Sequence, residues 1–82
     1  IVSGKVQGVW FRASTKSVAD RLDVKGYAKN LADGNVEVVA TGTQDNINAL
    51  YTFLQIGPEL ADVKSVVEVE TQTYRTDTFT TK

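Results

Sequence analysis

The 82-residue sequence contains no cysteine and no histidine. Without cysteine there is neither a disulfide framework nor a thiolate metal site. Without histidine the usual general base, the usual zinc ligand and every Ser-His or Cys-His nucleophile pair are excluded. Any chemistry must run on Arg, Lys, Asp, Glu, Asn, hydroxyls and backbone amides. No apolar run approaches the roughly 20 residues of a membrane span, and no signal-peptide pattern is visible. These absences read as a soluble, cytoplasmic protein with no membrane association. Internal repeats, low-complexity tracts and linkers are also missing.

What is present fits one domain spanning residues 1–82. The hydrophobic fraction is 41%, too high for a disordered chain. Net charge is −1, but it is unevenly placed. Residues 1–30 carry six basic and two acidic side chains, and residues 31–82 carry three basic and eight acidic ones. A cationic first third suits an anionic ligand. The plainer alternative is a solvated helix face.

The segments alternate in type. Ile1 to Val6 reads as a β-branched strand running into a turn with Gly4 and Gly8. Phe11, Thr15, Val18 and Leu22 fall at helical spacing and share one face. Val24 to Asn30 is expected as a second strand, and Asp33-Gly34 as the turn of a hairpin. Asn35 to Thr41 returns as a third strand, with Val36, Val38 and Ala40 on one face. Thr43 or Asp45 can cap a second helix with a buried stripe of Ile47, Leu50 and Leu54, and Gly57-Pro58 ends it. Val63 to Thr71 reads as a fourth strand, and Phe79 suggests a fifth. The order β-α-β-β-α-β predicts an α+β, ferredoxin-like sandwich: an antiparallel sheet with two helices on one face.

The stretch Gly4-Lys5-Val6-Gln7-Gly8-Val9-Trp10-Phe11-Arg12 lies between the first strand and the first helix. Its glycines let the backbone turn sharply and present N–H groups inward. The helix start adds unpaired amides and the positive end of a dipole. Arg12 adds a guanidinium fork shaped for phosphate. The alternative is a tight strand-to-helix turn with Arg12 in solvent and Trp10 as packing.

This stretch resembles the acylphosphatase signature, Gly-x-Val-Gln-Gly-Val-x-Phe-Arg. Gly26-Tyr27-Ala28-Lys29-Asn30 and Asp33-Gly34-x-Val36-Glu37-Val38 resemble that family's second block, and Gly57-Pro58, Ala61 and Val63 its later positions. The resemblance implies the ferredoxin-like fold and hydrolysis of a small-molecule acyl phosphate without metal or cofactor. Inorganic phosphate is then product and competitive inhibitor; a monomer is the default expectation, independent of the resemblance. It also implies that the backbone of Gln7, Gly8, Val9, Trp10 and Phe11, with Arg12, cradles phosphate, and that Asn30 orients the attacking water. Alone, Asn30 reads first as a strand-end residue bonded to the adjacent turn, and only the family context turns the reading toward catalysis. Lys5 and Lys29 raise the local positive potential and stay outside the catalytic set.

Two positions depart from the family pattern. Trp10 stands where a small residue is common, and Asp23 where glycine usually ends the first helix. A left-handed backbone at Asp23 would be strained in a way glycine avoids. The tail Phe79-Thr80-Thr81-Lys82 also lacks the family's closing aromatic-x-aliphatic pattern. Two other readings compete with the enzyme. One is a non-catalytic anion-binding or regulatory module on the same fold. The other is RNA binding, which the absence of aromatics from Asn35 to Thr41 and the negative net charge disfavour.

Overall fold

Phe11, Thr15 and Ala19 descend one side of the first helix and are fully buried, with Val18 and Leu22 packed partly alongside. The computed structural model describes residues 1–68 and 76–82. Its elements are β1 (Val2–Lys5), α1 (Phe11–Arg21), β2 (Lys25–Asn30), β3 (Val36–Thr41), α2 (Gln44–Ile56), β4 (Asp62–Val66) and β5 (Phe79–Thr81). Leu50 and Leu54 bury the facing stripe of α2, with Ile47 half-buried at its upper end. Both helices share one core with Val2, Val24, Ala28, Val36 and Phe79 of the sheet side.

The strand order is β4-β1-β3-β2-β5. The first four strands pair antiparallel, but β5 runs parallel to β2, so the sheet is mixed rather than wholly antiparallel. The reason is geometric. A chain that reverses direction after β4 runs antiparallel to it, and β2 already has that direction. Val36 is buried and Val38 and Ala40 pack partly against the core, the face expected for β3. The opposite face is open, and there Tyr27 donates a 2.8 Å hydrogen bond to Glu37.

Both helix ends follow local chemistry. Asp23 has φ 54°, and Val24 and Asp23 donate to the carbonyls of Ala19 and Asp20. This is a Schellman closure with an aspartate where glycine is favoured. At α2, Thr43 is the cap rather than Asp45: its Oγ1 accepts from the Asn46 amide at 3.2 Å. Gly57, with φ 72°, ends that helix and donates to Phe53 O at 2.7 Å.

The fourth strand differs from expectation. It begins at Asp62 and ends at Val66, although Ile1 and Val67 extend the pairing by exchanging two 2.9 Å main-chain bonds. Residues 69–71 of the expected strand lie outside the described residues. Gly4 pairs with Val63 and Ser3 with Ser65, so Lys64 is an extra residue and forms a β-bulge. Gly4 is required here, because a Cβ would sit 2.2 Å from Asp62 O.

Candidate active site

Val6, Val9 and Phe11 are buried and pin the β1–α1 loop to the core, while Gly8 and Trp10 are exposed and Gln7 is half-buried. Gly8 has φ 73° and Trp10 φ 63°, with Val9 between them at negative φ. Alternating signs of φ turn successive main-chain N–H groups toward one concavity, the geometry of anion-binding nests. Nothing would touch a Cβ at Gly8, so glycine is needed there for its φ, not for space.

Trp10 is the N-cap of α1 and makes no side-chain cap, and no acidic residue occupies the first turn. Among the described residues, no group accepts a hydrogen bond from the main-chain amides of residues 8–13; the first amide satisfied is that of Ser14, by Trp10 O. The positive end of the helix dipole is therefore uncompensated. These amides border a cleft of about 390 Å³ whose lining includes Gly8, Trp10, Phe11, Arg12, Asn30 and Thr81. Among the described residues, no Asp or Glu side chain lines it.

Arg12 and Asn30 thus face the same cleft from different elements, although 18 positions separate them in the chain. Arg12 projects from the first turn of α1, and its Nη1 donates to the main-chain oxygen of Lys82 at 2.6 Å. Its other donors have no partner among the described residues. Lys82 is itself fixed, since its amide donates to Ala28 O at 2.8 Å and its ammonium lies 4.1 Å from the Tyr27 ring centre. Asn30 ends β2 opposite Val36, and its Oδ1 is buried without a hydrogen-bond partner. A buried, unpaired carboxamide oxygen costs about 1–3 kcal/mol.

The side chain of Gln7 has a task the sequence did not disclose. Its Nε2 donates to Leu31 O at 2.8 Å and to Asn35 O at 2.9 Å. It clasps both ends of the β2–β3 turn, immediately beyond Asn30. Lys82 and Thr81 were likewise absent from the expected site. Their separations from the loop, 70 positions for Arg12 and Lys82, leave no local signal. Lys5 and Lys29 are exposed and do not line the cleft. No group of three or more potential metal-binding His, Cys, Asp or Glu side chains occurs among the described residues. No described helix is long and apolar enough to cross a membrane.

Comparison with known proteins bears on the family and the fold. The family model described as acylphosphatase matches residues 1–81. An acylphosphatase from Hahella chejuensis is 60% identical over 65 residues, covering 79% of this chain and 69% of its own. One from Legionella pneumophila is 58% identical over 57 residues, 70% of this chain and 63% of its own, so the matches span about two thirds of these curated relatives. The solved structure of an acylphosphatase from Coxiella burnetii superposes with a TM-score of 0.93 at 42% identity, over 99% of this chain and 85% of that one.

Proposed function

The chain belongs to the acylphosphatase family, hydrolases acting on acid anhydrides, and on that footing we propose that it cleaves the carboxyl–phosphate bond of acyl phosphates through Arg12, the loop amides and Asn30. The observation that carries this reading is the convergence of unpaired amides, a guanidinium and the Asn30 carboxamide on one cleft that no described Asp or Glu side chain lines.

The chemistry follows from charge and position. The amides of residues 8–13 and the free donors of Arg12 take the phosphate oxygens, neutralising charge on the equatorial positions. The Asn30 carboxamide, which lines the cleft, hydrogen-bonds the attacking water and holds it in line with the scissile bond. The water oxygen forms a bond to phosphorus as the bond from phosphorus to the acyl oxygen breaks. The electron pair leaves on the carboxylate, which needs no protonation because it is a good leaving group. A neutral amide is a poor base, so the water's proton passes to a phosphate oxygen. No step calls on a metal or cofactor.

In this reading the protein is a cytoplasmic monomer, and inorganic phosphate, the product, competes with substrate for the same donors. The test is phosphate release from acetyl and benzoyl phosphate by the wild type, with chelator present and inorganic phosphate added. Turnover insensitive to chelator, inhibited competitively by phosphate and free of an enzyme group titrating near neutrality is expected. No turnover, or a clear enzymatic base with pKa near 6–7, overturns the mechanism.

A further inference from the structure

Among the described residues, four large apolar side chains are exposed: Trp10, Ile56, Leu60 and Val67. Only Trp10 among them lines the phosphate cleft. It is 75% exposed, so its indole gains little from folding. Its backbone is left-handed at φ 63°, a conformation that a bulky side chain makes less favourable. It forms no side-chain cap on α1, and its indole N–H donates to no described residue. A strained, solvent-facing tryptophan thus stands at the mouth of the cleft that holds Arg12 and Asn30, where a small residue would satisfy the fold better.

We infer that Trp10 is a specificity-determining platform for the acyl half of the substrate, so that acyl phosphates with aromatic or other flat apolar acyl groups are preferred over acetyl phosphate. This rests on the proposed hydrolase activity. With the phosphate held by the loop amides, the acyl group projects outward past residue 10 toward solvent. A flat apolar acyl group can lie against the indole and leave water; an acetyl group offers little surface to cover. Such contact persists from bound substrate to departing carboxylate. It therefore lowers KM for the aromatic substrate without a matching change in kcat.

The experiment compares kcat/KM for benzoyl and acetyl phosphate in the wild type, Trp10→Phe and Trp10→Gly. The ratio of the two substrates cancels any change in loop geometry that affects both. A fall in the benzoyl-to-acetyl ratio of roughly 2- to 10-fold in Trp10→Gly is expected. It should arise from KM and be largely restored in Trp10→Phe. Because Trp10 is the one tryptophan in the sequence, its fluorescence supplies a readout independent of turnover. Benzoylphosphonate, which cannot be hydrolysed at that bond, should perturb the emission saturably and at lower concentration than acetylphosphonate. A ratio unchanged by Trp10→Gly, or parallel losses with both substrates, overturns the preference while leaving the hydrolase reading intact. Absence of turnover of either substrate by the wild type overturns the hydrolase reading, and the preference with it.

Discussion

The guanidinium of Arg12 is tethered to the main-chain oxygen of Lys82 by a 2.6 Å hydrogen bond, across 70 residues of sequence. One arm of the fork is thereby occupied, and the remaining donors are held on the cleft side. Orientation, as well as charge, is therefore at stake at this position. Arg12→Gln should lower kcat/KM by about 100-fold or more, the scale of a lost transition-state donor. Arg12→Lys keeps the charge and loses the planar fork, and should still lose roughly 10-fold or more. Steady-state kinetics with acetyl phosphate decide, and full activity in Arg12→Lys would mean that charge alone suffices.

Asn30 presents the opposite case, a group whose removal should harm catalysis and spare the fold. Its Oδ1 is already buried and unpaired, so Asn30→Ala removes a liability of about 1–3 kcal/mol. We expect kcat to fall by at least about 100-fold. The denaturant midpoint should hold or rise, and inhibition by inorganic phosphate should change little. A strongly destabilised Asn30→Ala protein would identify a structural role instead.

Gln7 joins the phosphate loop to the strand that carries Asn30 through two hydrogen bonds to Leu31 O and Asn35 O. Gln7→Ala removes both bonds, at about 1 kcal/mol each, while Leu31 O still accepts from Gly34 N and Asn35 O from Leu31 N. Urea unfolding should thus show a loss near 2 kcal/mol. Gln7→Glu, whose carboxylate cannot donate and repels both carbonyls and phosphate, should be worse in stability and in KM. Equal stability of Gln7→Glu and wild type would show that the clasp contributes nothing.

Asp23 occupies a left-handed position at the end of α1 and pairs with Lys25 at 2.9 Å. The hydrogen bond from Lys25, with its charge, holds the Asp23 carboxyl below the usual carboxylate range. The same bond raises the Lys25 ammonium. A depressed carboxyl pKa stabilises above the unfolded-state value near 4, and that contribution disappears as pH falls through the folded value. Asp23→Gly relieves the backbone and should raise the thermal midpoint by about 4 °C at neutral pH. The ion pair partly offsets this gain at neutrality, so the advantage should widen when the pH drops below 4. A midpoint lowered by the substitution at every pH would contradict this account.

Much of the architecture was legible because it depends on periodicity and turn chemistry. Phe11 and Thr15, four apart, define the buried side of α1, and Val36, Val38 and Ala40 define that of β3. What periodicity conceals is register. In β4 the alternation of Val67-Glu68-Val69-Glu70 suggested a long strand with a regular inward face. The bulge at Lys64 instead brings Val63 and Val66, three apart, against the core, and Val67 is exposed. The parallel placement of β5 was equally hidden, since it depends on the whole chain's sequence of reversals.

The candidate site divides in the same way. Gly8 and Arg12 were readable because a bent loop before a helix is a local object. The clasp of Gln7 and the tether at Lys82 involve main-chain oxygens 24 to 70 residues away, and any amino acid supplies such an oxygen. No residue type marks them. The departure at Asp23 was foreseen as strain and appears as φ 54°.

The two halves of the cleft stand on ground of unequal firmness. Asn30 ends β2 opposite Val36 of β3, inside the antiparallel part of the sheet, whereas the anchor of Arg12 lies just past β5, three residues long and at the margin of the sheet. Marginal strands fray first, exchanging their amide hydrogens at a fraction of the global unfolding free energy. On gentle warming the guanidinium should come loose while the carboxamide stays seated, so grip on phosphate fades well before the sheet itself melts.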